Sequence, residues 1–254
     1  MIATERLLSE ERFHDVQAEE RALRFENDPS RFQFDDEAYL DHETWIRPAF
    51  TSLGNLAGRR FLDYGCGHGM AAVVAARHGA HVTGFDLSSG YLEEARRRAA
   101  ANNVVGRFLK ADAEHLPFDD NSFDAIWGCA ILHHLDLNRA GLELQRILRP
   151  GGRAAFCEPW GGNPILNFAR RFVPYPGKQR TPDERPLTRD DLAPLRAIFP
   201  NMRVKGYQLL GMFRRALCRV PHAGGLLDRA DRALLQRLPR LENSCRYVVL
   251  SLER

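Results

Sequence analysis

Short apolar runs that end in an acid, each followed by a polar turn and then a helical stretch, recur through the middle of the chain. Phe61-Leu62-Asp63-Tyr64 reads as the first strand, and the small-residue run Met70 to Ala76 as the helix after it. His81 to Asp86 reads as a second strand, with Ser88 placed to cap a helix that begins near Gly90. Val104 to Lys110 and Phe123 to Trp127 read as the third and fourth strands. A helix then reaches Leu148 and is stopped by Arg149-Pro150-Gly151-Gly152. Arg153 to Glu158 reads as a fifth strand, Met202 to Leu209 as a sixth, and Ser244 to Leu252 as the last. Thr188 is set to cap a helix running to Phe199. Strands alternating with helices predict an α/β fold with a mostly parallel sheet.

The turn after the first strand carries chemistry. Asp63-Tyr64-Gly65-Cys66-Gly67-His68-Gly69 holds three glycines at alternate positions, where a backbone can take positive φ and lie close to a ligand. The dinucleotide pattern G-x-G-x-x-G needs a glycine at position 70, which is Met70. A carboxylate at the end of the second strand, Asp86, is placed for ribose hydroxyls, or is a plain turn residue. Asp112-Ala113 follows the third strand. Cys129 and then His133-His134 follow the fourth, and Glu158 ends the fifth. Histidine, with an unperturbed pKa near 6.5, suits general-base work, or it merely shapes a pocket.

D-x-G-x-G-x-G resembles the first motif of class I S-adenosylmethionine-dependent methyltransferases, and Leu116-Pro117-Phe118 through Ser122-Phe123-Asp124 resembles their third-to-fourth-strand connection. The likeness covers about 59–158 and is closest to a small-molecule branch (the methyltransferase type 11, UbiE-like group). It implies a Rossmann-like sheet of seven strands, mostly parallel with the last strand antiparallel between the fifth and sixth, and helices on both faces. It also implies S-adenosylmethionine as cofactor, S-adenosylhomocysteine as product, and methyl transfer to a small molecule, on O or N before C. Asp63, Gly65, Cys66 and Gly67 would hold the methionine end. Asp86 and Leu87 would hold the ribose, and Asp112 and Ala113 the adenine, with Cys129 beside them. His133, His134 and Glu158 are the candidate bases. A nucleotide-dependent oxidoreductase, or a protein that binds S-adenosylmethionine without methylating, stays open as an alternative.

Composition changes this picture in three places. The 254 residues carry 36 Lys+Arg against 33 Asp+Glu, a net +3 too mild to call for nucleic acid, and no nucleic-acid module is present. Residues 1–47 are net −7 and aromatic, and 1–56 is expected as a helical lid ahead of a methyltransferase domain at 57–254. His14 and Tyr39 are its candidate substrate contacts. Segment 205–240 is net +6. Within it, 211–241 is read as a basic helical insert, a solvated face or a contact for lipid or a peripheral membrane surface.

The Pro-rich connection 159–187 is read as a substrate-side loop, similar to an NP…RR…RTxDExPL segment of the same branch. Trp160 is a candidate for stacking on an acceptor, and Arg185 stands where many relatives have His. The arginines either clamp an acidic substrate or pair with Asp183 and Glu184. Five scattered cysteines lack metal spacing, so no zinc or other metal site and no disulfide framework is expected, and with no signal-peptide pattern a cytoplasmic protein is.

Overall fold

The computed structural model describes residues 3–25, 29–172, 185–211 and 223–254. Among these, the strands are β1 (Arg60–Tyr64), β2 (His81–Asp86), β3 (Gly106–Lys110), β4 (Phe123–Cys129), β5 (Leu148–Pro159), β6 (Arg203–Tyr207) and β7 (Tyr247–Glu253). They form one sheet in the order β3-β2-β1-β4-β5-β7-β6. The first five are parallel, and β7 runs antiparallel between β5 and β6. The strand order reverses between β1 and β4, and the crevice outside the carboxyl ends at such a switch point is where open α/β sheets bind ligands.

Both faces of the sheet are covered, which is why its central strands are buried without alternation of polar residues. Phe61, Trp127, Ala155, Cys157 and Val249 point to one side. There they pack on α3 (Ile46–Ser52), α4 (Met70–Arg77) and α5 (Ser89–Ala101). Leu62, Tyr64, Ile126, Ala154 and Phe156 point to the other, against α6 (Leu137–Ile147) and α8 (Ala193–Ile198). Ser88 caps α5, its hydroxyl accepting from Tyr91 N at 3.1 Å.

The amino-terminal 56 residues divide in two. α1 (Ala3–Phe25) lies across the carboxyl edge of the sheet, whereas α2 (Asp36–Leu40) and α3 belong to the core. Trp45 packs on Tyr247 at 5.2 Å, and Phe50 on Phe61 and Trp127 at 5.9 and 5.2 Å. Most aromatic residues of this region are therefore spent on packing rather than on a lid.

Three local expectations are corrected. The Arg149-Pro150-Gly151-Gly152 breaker does end α6, but the chain enters β5 already at Leu148, with a register shift against Phe123 and Ala125 that absorbs the turn. Thr188 does not cap a helix to Phe199. Its N–H and hydroxyl donate to Asp191 at 2.8 and 2.6 Å, and the helix begins only at Ala193. The connection after β5 is not all loop, because Pro164–Phe172 forms a helix, α7. Asn163 starts it, accepting from Leu166 N, and Arg170 fastens it through the carbonyls of Trp160 and Arg246.

Of the basic insert, α9 (Ala223–Arg237) turns Asp231 inward to accept from Leu210 and Gly211 N at 2.6 and 3.0 Å, and leaves Arg229, Arg232 and Arg237 outside. Phe213 to Leu217 falls outside the described residues, as do Asp183 and Glu184. Among the described residues, no helix is long and apolar enough to cross a membrane.

Candidate active site

A cavity of about 340 Å³ opens at the carboxyl ends of β1, β2 and β4 beneath α1. That size lies within the roughly 300–1,000 Å³ usual for small-molecule sites. Its walls include Gly65, Gly67, Asp86, Leu87, Asp112, Ala113, Cys129 and His134 from the sequence-predicted set, with His14 from α1.

The glycine loop is built for close approach. Gly65, Gly67 and Gly69 have φ of +67°, +46° and +77°. A Cβ on Gly65 would also stand 2.9 Å from the Ile131 side chain, so any other residue there is strained and must displace Ile131. Asp86 fixes the loop from β2: one carboxylate oxygen accepts from Gly67 N at 2.8 Å and the other from Ser88 N at 2.9 Å. A carboxylate has about four lone-pair sites, so two remain for a ligand. On the opposite wall, Tyr64 Oη donates to Ala113 O at 2.7 Å and Asp112 accepts from Glu114 N at 2.9 Å, which together shape the turn after β3.

Electrostatically the site wants a cation. Asp63 lies buried behind the loop, where one oxygen accepts from Ala72 N at 3.0 Å. Burial pushes its carboxyl well above the usual range; the Ala72 N–H offsets this in part, and the charge of Asp86 adds to it. Burial likewise raises Asp86 against the pull of the Ser88 and Gly67 N–H groups. Two desolvated acids beside one cavity are relieved by a positively charged ligand. An adenosyl sulfonium that also carries ribose hydroxyls and an amino group meets both needs, so the residues present fit S-adenosylmethionine.

Next to this cavity, Glu158 at the tip of β5 is fully buried. Its Oε1 accepts from Ile131 and Leu132 N at 3.0 and 2.9 Å, and its Oε2 lies 2.7 Å from His133 Nδ1. Ala130, held at φ +55°, makes the sharp exit from β4 that brings these groups together. His134 stacks on His133 with ring centres 4.1 Å apart and faces Glu10 of α1.

Not every predicted contact reaches the site. Trp160 is buried in the core and donates through Nε1 to Asn243 O at 3.0 Å, so it is not placed to stack on a ligand. Arg185 is exposed and clasps Asp191 bidentately at 2.8 and 2.5 Å, so its guanidinium is already committed. Tyr39 packs on Trp127 at 6.4 Å in the core cluster next to Cys129, with its hydroxyl pushed up by burial. Cys66 is buried beneath the loop. Among the cavity's walls, sequence reasoning missed Arg6, Glu10, Gln17, His68 and Tyr91. Arg6, Glu10, His14 and Gln17 recur at three- and four-residue steps on one face of α1, a spacing that could have marked them.

The comparisons with known proteins agree with this geometry. Residues 62–156 match the family described as a methyltransferase domain. A demethylmenaquinone methyltransferase of Clavibacter sepedonicus is 43% identical over 46% of this chain and 47% of its own length. The O-methyltransferase rstn1 of Aspergillus nomiae is 37% identical over 52% and 59%. An S-adenosylmethionine-dependent methyltransferase of Mesorhizobium loti has a similar structure, with a TM-score of 0.55 at 21% identity over 85% of this chain and all of that one. Residues 62–156 thus match a methyltransferase domain, set in a sheet with the fold of S-adenosylmethionine-dependent methyltransferases. The chain spans about half the length of the curated relatives it matches.

Proposed function

We propose that the protein methylates a small molecule on oxygen or nitrogen with S-adenosylmethionine as donor. The observation that carries this reading is the juxtaposition of an acid-lined cavity with a buried Glu158–His133 pair at neighbouring strand tips. Asp63, Gly65 and Gly67 hold the methionine end, Asp86 the ribose, and Asp112 with Ala113 the adenine. When bound, the sulfonium supplies an electrophilic methyl group. The protein's own task is to align an acceptor and manage its proton, and alignment alone is worth about 7–11 kcal/mol in ideal cases.

Glu158 accepts from His133 Nδ1–H, which leaves Nε2 with its lone pair, the tautomer a general base needs. The proton of an acceptor hydroxyl or amine passes to that nitrogen. α1 serves as the lid. It is fastened over the cavity by Arg6 to Glu114, by Ser88 Oγ to Asp15 at 2.6 Å, and by Arg21 to Glu94 at 2.9 Å. Gly90 allows this approach, because a Cβ there would lie 2.8 Å from that of Ala18. A closed lid excludes water and strengthens the electrostatics beneath it.

The test is transfer of labelled methyl from S-adenosylmethionine to a panel of phenols, hydroquinones and aliphatic alcohols and amines. Label in an organic acceptor, lost on His133→Ala, supports the reading. Tight cofactor binding without transfer to any extract or panel compound contradicts it.

A further inference from the structure

We propose that Glu10, His14 and His134 form a site for a borderline transition-metal dication of the zinc type, which staples α1 to the turn after β4. The three donors, one on each residue, lie within 4.8 Å of one another. Glu10 Oε2 stands 3.2 Å from His134 Nδ1 and 3.6 Å from His14 Nε2. An ion about 2.0–2.1 Å from each donor at tetrahedral angles sets donor–donor separations of roughly 3.4 Å, midway between those two distances. A charge-assisted hydrogen bond is shorter, at about 2.7–2.9 Å. The 3.6 Å separation is beyond ordinary hydrogen-bond reach, so between Glu10 and His14 the spacing suits a bridging ion better than a proton.

The set is also supported from behind. Glu10 and His14 are one turn apart on α1 and so share a face. His14 Nδ1 lies 3.3 Å from Gln17 Oε1, which accepts its proton and presents Nε2 to the ion. Gln17 is held in turn by Tyr91 Oη at 3.2 Å. Two imidazoles and one carboxylate select zinc, cobalt or nickel over magnesium or calcium, which prefer all-oxygen ligands. All three residues line the cavity, so the fourth coordination position is left for water or a ligand atom there. The ion bridges lid and wall, and it makes lid closure responsive to metal.

Cysteine spacing could not announce such a site, because its donors come from two distant segments and none is a cysteine.

The proposal needs no methyl transfer and is tested without it. The full-length protein, stripped with chelator, is titrated with Zn²⁺ and with Mg²⁺ by calorimetry, and with Co²⁺ by visible absorption. One zinc per chain, no magnesium binding and an intense four-coordinate cobalt spectrum are expected. His14→Ala and His134→Ala each weaken zinc at least about 100-fold, and Gln17→Leu about 10–100-fold. His78→Ala, a surface histidine beside Asp36, leaves zinc affinity unchanged. Circular dichroism and a cooperative thermal melt check that the variants fold. Zinc affinity unaltered in folded His14→Ala and His134→Ala, or no zinc binding up to millimolar concentration, overturns the proposal.

Discussion

Asp86 joins the glycine loop, the start of α5 and the proposed ribose site, so its replacement separates their contributions. In Asp86→Ala both backbone donors, Gly67 N and Ser88 N, lose their acceptor, and the ligand loses its two hydroxyl contacts. Hydrogen bonds to a charged group are worth about 1.5–3 kcal/mol each. Two ligand bonds therefore amount to about 3–6 kcal/mol, a 10²–10⁴-fold loss of affinity at 1.4 kcal/mol per decade. Asp86→Asn keeps one acceptor but turns an NH₂ toward a backbone N–H, so one bond is lost and affinity falls about 10–100-fold. The assay is isothermal calorimetry with S-adenosylhomocysteine, paired with a thermal melt to confirm the fold. An Asp86→Ala protein that melts cooperatively and binds within threefold of the parent refutes the ribose assignment.

Three further outcomes follow from named contacts. Glu158→Gln still accepts from Ile131 and Leu132 N but presents an amide to His133, which forces the wrong tautomer; kcat falls about 10²–10⁴-fold while S-adenosylhomocysteine affinity is kept, as stopped-turnover assays and calorimetry will show. Gly90→Val drives a side chain into Ala18 and lifts α1 from α5; it costs about 1–3 kcal/mol in denaturant melts and speeds proteolysis within 3–25. His68 is held down to about 3 by burial first, then by the charges of Arg98 and Arg21. The unfolded chain takes up a proton below about 6.5 that the folded chain refuses, so stability is full above that pH and falls as pH drops toward about 3. That slope contributes on the order of 5 kcal/mol, and His68→Gln flattens it in urea melts across that window.

The parts legible in the sequence were those governed by local rules. Strands bounded by acids and glycines, Ser88 as a cap, and the positive-φ loop all follow from residue chemistry over a few positions. They brought Gly65, Gly67, Asp86, Asp112 and Ala113 to one cavity. What was misread depended on partners far away in sequence. Trp160 carries an indole N–H that either a ligand or a carbonyl could accept, and only the fold supplies Asn243. Arg185 clasps Asp191, six residues on, while the adjacent acids considered for it fall outside the described residues. Glu10 is an ordinary surface acid by its neighbours on α1, and it becomes part of a site only because β4 delivers His134 beside it.

The most direct test of the central claim is a crystal structure of the protein grown with S-adenosylhomocysteine. The ligand is expected across the β1/β4 switch point, with both ribose hydroxyls on Asp86, the adenine amino group on Asp112, and the amino-acid end over Gly65 and Asp63. Clear density for the ligand elsewhere, or none at saturating concentration with the carboxylates turned away from the cavity, would contradict the account.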